Sequence, residues 1–224
     1  MGNGPGGFSA SATDMFLEAA EKLSIRLRAD AVPIFARYYD ELLLWNEKVN
    51  LTRITGELEV IINHFIDSLV PERFLPFGAV VADIGSGAGF PGIPLKIIRP
   101  DLEVTLFESS FKKVAFLRHV IRLLQLKGIV VSPERAGAKA SGMTKYLVCI
   151  GRAVAALPAF LQVAERMVAP KGLIVAMRGA RFQEELRAVE GALGGLHLSV
   201  AAVKTFTLPV SGAVRAIILF ESRR

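Results

Sequence analysis

The residues best suited to chemistry lie in one stretch, Val80-Val81-Ala82-Asp83-Ile84-Gly85-Ser86-Gly87-Ala88-Gly89-Phe90-Pro91-Gly92. An apolar run passes into closely spaced glycines and then into a helical pattern that starts near Pro91. Glycines permit a tight turn and let a ligand approach the backbone closely. The first N–H groups of a helix suit an acceptor-rich ligand. Asp83 stands just before the glycines, where a negative charge suits a cationic sulfonium and an amino group better than a pyrophosphate. Glu108 ends the next apolar run and could accept hydrogen bonds from ribose hydroxyls. The spacing of Gly85, Gly87 and Gly89 is Gly-x-Gly-x-Gly, not the Gly-x-Gly-x-x-Gly of dinucleotide enzymes, although Gly92 keeps a nicotinamide enzyme in view. The plainest alternative is a tight turn capped by Asp83.

Other catalytic constellations do not stand out. The histidines, His64, His119 and His197, are scattered without metal-ligand spacing, and no metal is expected. Cys149 lies in the apolar run Tyr146-Leu147-Val148-Cys149-Ile150 and reads as a buried hydrophobe. A single cysteine also excludes an internal disulfide. Lys+Arg number 27 against 21 Asp+Glu, a formal charge of +6 and a pI near 9.7. That excess fits an anionic partner such as nucleic acid, or a soluble basic protein with no such partner. No charged segment precedes an apolar one at the start, and no apolar run is long enough to span a bilayer. A cytoplasmic monomer with no membrane partner is therefore expected.

The elements that must position the loop follow from periodicity. Residues 1–12 are rich in Gly, Ser and Ala and are expected to be loose. Three helical patterns follow, at about 13–28, 33–48 and 57–70. Thr13 or Asp14 could cap the first, and Pro33 suits the first turn of the second. Tyr38, Leu42, Trp45 and Val49 form the apolar stripe of the second, which makes Trp45 core. From residue 79 strands alternate with helices. Strands are expected at 79–84, 103–108, 129–132, 147–150 and 173–178, and helices at 91–99, 111–127, 157–168 and 182–193. This rhythm predicts an α/β fold, a mostly parallel Rossmann-like sheet covered on both faces. Runs at 197–205 and 214–221, separated by Pro209 and Gly212, predict an antiparallel pair on the sheet edge. The expected organisation is a flexible segment and helical cap over 1–78 and the Rossmann-like domain over 79–224, in one compact unit.

At this point the chain resembles the RsmG (GidB) family of bacterial 16S rRNA methyltransferases, whose members methylate N7 of a guanine in the 530 loop. The similarity runs from about Tyr38 to Glu184. Its most specific part is Gly85-Ser86-Gly87-Ala88-Gly89-Phe90-Pro91-Gly92-Ile93-Pro94-Leu95. Trp45-Asn46, Asn50-Leu51-Thr52, His64 with Asp67-Ser68-Leu69, Lys112-Lys113 with Phe116-Leu117, Arg152-Ala153 and Met177-Arg178-Gly179 support it. The resemblance implies S-adenosyl-L-methionine as cofactor, with contacts at Gly85, Phe90, the Ala136-Gly137 step and Arg152. It implies 16S rRNA or the small ribosomal subunit as partner. The chain departs from the family pattern at Gly137, where Glu is usual, at Gly151, where Ser is usual, and at Asn63, where a second His is common. It also has Arg178-Gly179 for Lys-Gly and Lys112-Lys113 for Lys-Arg.

Such a reaction needs alignment more than catalytic groups. Guanine N7 has a free lone pair and no proton to lose, so positioning dominates. Arg152 is expected to close the cofactor pocket and to face the base. Arg178 is expected to hold a phosphate or guanine O6, against the alternative of a solvated strand-end charge. Lys112, Lys113 and Arg118, with Arg122, Lys127 and Arg135, could form an RNA-facing patch or an ordinary solvated face. His64 and Asp67 share a helix face. With the Asn50 loop they could close over the site, or they could serve only as a local polar network. A small-molecule methyltransferase on the same fold, a nicotinamide oxidoreductase and a non-catalytic RNA-binding protein are the competing functions.

Overall fold

A computed structural model describes residues 7–138 and 145–224. The N-terminal part is helical: α1 (Ala10–Lys22), α2 (Ala31–Val49) and a broken run over 57–74. α1 begins earlier than the sequence pattern suggests, because the Ser9 hydroxyl accepts the Ala12 N–H and caps it. Ser9 also binds Glu57, and the Gly7 N–H reaches Asp40, so residues 7–12 are tied down, contrary to expectation. α1 stops at Lys22, short of the expected 28. α2 buries Phe35, Tyr38, Tyr39 and Leu42 on one face and ends at Asn50, in the left-handed region at φ +53°.

The expected single helix over 57–70 is present but not uniform. It comprises α3 (Glu57–Val60), a π-helical segment (Ile61–Ile66), α4 (Asp67–Leu69) and a 3-10 turn (Val70–Phe74). Periodicity cannot reveal a widened turn, since the apolar residues Ile61, Ile62, Phe65 and Ile66 bury themselves either way.

Among the described residues seven strands form one sheet in the order β3-β2-β1-β4-β5-β7-β6. They are β1 (Val80–Ile84), β2 (Glu103–Phe107), β3 (Ile129–Ser132), β4 (Tyr146–Arg152), β5 (Val168–Arg178), β6 (Leu198–Thr207) and β7 (Val214–Ser222). Neighbours from β3 through β5 run parallel, while β7 pairs antiparallel with both β5 and β6. The terminal hairpin thus lies on the sheet edge as expected. α5 (Gly92–Ile98), α6 (Phe111–Leu123), α7 (Leu157–Met167) and α8 (Phe182–Glu190) connect the strands.

Side chains alternate across the strands, and two cores result. One joins the N-terminal helices, α5 and α6 to a sheet face through Val81, Val148, Ile150, Val175 and Met177. The other packs α7 and α8 on Ala82, Ile84, Cys149, Ile174 and Ala176. Cys149 is fully buried, as expected, and burial raises its thiol pKa. The N-terminal helices share a continuous core with the sheet. No helix among the described residues is long and apolar enough to cross a membrane.

Candidate active site

Strand order reverses between β1 and β4, which leaves a crevice at the carboxyl ends of the strands. The glycine loop lies there. Gly89 has φ +96°, and a Cβ on it would stand 2.6 Å from the Tyr38 hydroxyl and from Ile93. That hydroxyl donates to the Ala88 carbonyl, so the loop is held from above by α2. Gly87 has φ +58°, and a Cβ there would meet nothing closer than the Gly85 carbonyl at 4.0 Å. This part of the loop is an open floor. Val154, on the loop after β4, lies against Gly85.

The two carboxylates have different jobs. Glu108, one residue past β2, accepts the Gly87 N–H at 3.0 Å through one oxygen and the Ser110 N–H at 2.8 Å through the other. It is partly exposed at the rim, where the sequence places a ribose acceptor. Asp83 corrects its expectation. Alternation on β1 turns it to the Val81 face, beneath α5, where it is fully buried. Its Oδ2 accepts the Gly92 N–H at 2.9 Å. The first N–H of α5 is therefore taken by Asp83 and is not offered to a ligand. Burial pushes the Asp83 pKa up to about 7, while the Gly92 hydrogen bond pulls the other way. Its Oδ1 is buried without a hydrogen-bond partner among the described residues.

Phe90 is the centre of a polar cluster. The His64 ring stacks on it at 4.6 Å, and the Arg152 guanidinium lies over it at 4.9 Å. Arg152 ends β4 on the face of Val148 and Ile150, towards the π-helical segment. It donates to the Asn63 carbonyl (2.8 Å), to Asp67 Oδ2 (3.3 Å) and to His64 Nδ1 (3.1 Å). Thr52 Oγ1 lies 2.8 Å from His64 Nε2, and Arg215 Nε lies 3.5 Å from Asp67 Oδ2. His64 is thus embedded, and burial with the Arg152 charge pulls its pKa down to about 3. Burial raises the pKa of Asp67, while Arg152 and Arg215 oppose the shift. Spacing predicts that His64 and Asp67 share a helix face. It gives no sign of Arg215, which comes from β7 at the far end of the chain, or of Thr52 and the Asn63 carbonyl.

Beside this cluster opens a cleft of about 340 Å³, lined by Ile54, Asn63, His64, Asp67, Arg152, Met177, Arg178, Phe206 and Arg215 among others. Arg178 ends β5 and is 5% exposed, so the solvated strand-end reading fails. Alternation puts it on the Ala176 face, opposite to Arg152. Its guanidinium lies over Phe160 at 5.3 Å, and its Nε is 3.4 Å from Glu185 Oε2 without hydrogen-bond geometry. Nη2 is also buried and unpartnered among the described residues.

The remaining expected residues are more dispersed. Ala136 and Gly137 follow β3, and Gly137 has φ +74° with Val163 of α7 alongside. That backbone conformation suits the glycine found where the family pattern has Glu. Gly151 has a steric reason too: a Cβ there would stand 2.4 Å from Phe160. Asn50 is exposed at the end of α2, outside the polar cluster that holds its neighbour Thr52. Lys112, Arg118 and Arg122 are exposed on α6 and Lys113 is half-buried; none of them lines the cleft. Next to them Phe111 is 86% exposed, a feature the apolar stripe of the helix does not predict. Among the described residues no three His, Cys, Asp or Glu side chains cluster as a metal site.

Comparison with known proteins decides the family. The profile described as GidB, rRNA small subunit methyltransferase G, matches residues 32–211. The chain belongs to this family. It is 39% identical to the ribosomal RNA small subunit methyltransferase G of Halalkalibacterium halodurans, over 93% of this chain and 90% of that protein. It is 41% identical to the protein of the same name from Desulfitobacterium hafniense, over 90% and 85% of the two chains. The fold is shared more widely. M. jannaschii TYW2, solved in complex with AdoMet, superposes with a TM-score of 0.54 at 15% identity, over 67% of this chain and 73% of that one. In this member of the GidB family the glycine loop therefore stands on a methyltransferase fold, at the crevice where such sheets take ligands.

Proposed function

We propose that this chain transfers a methyl group from S-adenosyl-L-methionine to N7 of a guanine in the 16S rRNA of the small ribosomal subunit, in the cytoplasm. The observation that carries the reading is Glu108 at the end of β2, hydrogen-bonded to Gly87 in a glycine loop at the strand-order reversal. The residues fit the cofactor. Gly87 leaves an open floor, and the oxygens of Glu108 have further lone pairs for ribose hydroxyls. The backbone after β3 at Ala136 and Gly137 would flank the adenine, and Gly85 and Phe90 would border the remainder. Asp83 holds the loop from below through Gly92.

When bound, the cofactor supplies an activated methyl group on a sulfonium. The chain's own work is alignment. N7 needs no general base, and His64, neutral across the physiological range, is not required to move a proton. Arg152 directs its donors to Asn63, His64 and Asp67, and so locks the π-helical segment against the Phe90 end of the loop. It is a positioning residue. Arg178 has unpaired donors and would take a phosphate or guanine O6, leaving N7 free to react. Asn50 and the α6 patch of Lys112, Lys113 and Arg118 would hold backbone phosphates, which position RNA without reading its sequence.

The arginine-lined cleft favours an anionic substrate over a neutral small molecule. The pairing of the Gly92 N–H with Asp83 argues against a pyrophosphate at the start of α5. The test is methyl transfer from radiolabelled cofactor to undermethylated small subunits, followed by mapping of the modified nucleotide. One 7-methylguanosine in the 16S rRNA is expected. Label on another nucleotide, or no label above controls lacking the enzyme, overturns the reading.

A further inference from the structure

Two phenylalanines are almost wholly exposed, Phe111 at 86% and Phe77 at 89%, and they lie at opposite ends of the sheet. Phe77 precedes the start of β1, away from the crevice. Phe111 is the first residue of α6, directly after the connection that leaves the carboxyl end of β2. That connection is rigid. Glu108 holds both the Gly87 N–H and the Ser110 N–H, and the Ser110 carbonyl accepts the Val114 N–H. The helix behind it is firmly seated: Phe116, Leu117 and Val120 are buried, Trp45 packs on Phe116 at 5.7 Å, and His119 meets Glu41 at 2.7 Å. The exposed ring is therefore presented by a fixed scaffold at the rim of the glycine loop.

The charge along its helix is one-sided. α6 reads Phe-Lys-Lys-Val-Ala-Phe-Leu-Arg-His-Val-Ile-Arg-Leu, with no acidic residue. Lys112, Arg118 and Arg122 are exposed. An aromatic face beside cations matches the chemistry of a single nucleic-acid strand, whose bases stack while its phosphates pair with the cations. An apolar protein partner would use the ring but has no need of the cations.

We propose that Phe111 is a stacking platform for an unpaired base of the RNA substrate, one that flanks the methylated nucleotide, with Lys112 holding an adjoining phosphate. This rests on the RNA methyltransferase reading above and adds the surface that holds the strand beside the acceptor.

The experiment compares Phe111→Ala, Phe111→Leu, Phe111→Trp and Phe77→Ala with the unaltered chain. It measures KM and kcat on undermethylated small subunits, and fluorescence-anisotropy affinity for a short single-stranded RNA copied from around the methylated position. Cofactor affinity and melting temperature report on folding. Phe111→Ala and Phe111→Leu are each expected to raise KM and weaken RNA binding about fivefold or more. kcat, cofactor affinity and the salt dependence of binding should stay near the unaltered values. Phe111→Trp should retain binding, and Phe77→Ala should change nothing. Equal behaviour of Phe111→Ala and Phe77→Ala overturns the proposal. So does full rescue by leucine, which would show an apolar contact with a protein. If the unaltered chain methylates no subunit yet Phe111→Ala still weakens RNA binding, the methyltransferase reading fails and the platform stands.

Discussion

Arg152 Nη2 lies 3.1 Å from His64 Nδ1, and this pairing determines which imidazole nitrogen carries the proton. A guanidinium can only donate, so Nδ1 must accept and the hydrogen must be on Nε2. Nε2–H then donates to Thr52 Oγ1 at 2.8 Å, and Thr52 Oγ1 also accepts the Ile54 N–H at 3.1 Å. A neutral histidine is thereby built into the junction between β4, the π-helical segment and the chain after α2. A second proton on the ring would set two donors face to face.

The pH dependence of His64 follows with a definite sign. Its pKa is about 3 in the fold against an ordinary value of 6.5, so the unfolded chain binds the extra proton more readily. Its contribution to stability is full above pH 6.5 and is lost as pH falls towards 3. His64→Gln, which keeps hydrogen-bonding capacity without a titrating ring, should flatten the loss of melting temperature between pH 6.5 and 4. An unaltered acid slope in that variant would contradict the neutral assignment.

Asp83 titrates with the opposite sign. Its folded pKa is about 7 against an ordinary 3.8, so the folded chain holds the proton more tightly. Its contribution to stability should fall as pH rises from about 4 to 7 and level off above. Asp83→Asn removes this group and can still accept the Gly92 N–H. The difference in melting temperature between variant and unaltered chain should shift in favour of the variant as pH rises from 4 to 8. A difference independent of pH would show that the carboxyl is ionised throughout.

Removing Arg152 leaves Asp67 buried with a single remaining cationic partner, Arg215. Arg152→Ala should destabilise the chain by about 3 kcal/mol, the usual scale for breaking a buried ion pair, and should abolish methyl transfer. Arg152→Lys keeps the charge but cannot serve Asn63, His64 and Asp67 together. It should recover part of the stability and little of the activity. Denaturant unfolding and turnover on small subunits check both.

Gly151 and Phe160 form a steric pair, because a Cβ on Gly151 would stand 2.4 Å from the ring. Gly151→Ser alone should cost about 1–3 kcal/mol through overpacking. Combined with Phe160→Leu the cost should be smaller than the sum of the two single changes. Additive costs would mean that the ring can move aside freely.

Glu108→Gln tests the cofactor carboxylate. The amide keeps one acceptor oxygen but loses the charge, so cofactor affinity by calorimetry should fall about tenfold or more, on the scale of a charge-assisted hydrogen bond. An unchanged affinity would leave Glu108 with only its Gly87 and Ser110 contacts.

The alternation of strands and helices, the glycine loop after the first strand, the acid following the second and the family can all be read along the chain. These are properties of local order: an apolar period, a glycine spacing and a run of residue types are all readable along the chain. Which charges meet was set by the fold. The parity of β1 turned Asp83 under α5. The parity of β4 and β5 sent Arg152 and Arg178 to opposite faces. The widened turn at Ile61–Ile66 and the return of β7 beside β5 brought Asn63, His64, Asp67 and Arg215 around one guanidinium. Contacts between residues as far apart as Asp67 and Arg215 depend on strand order and on which face each strand shows, and no local pattern in the chain carries either.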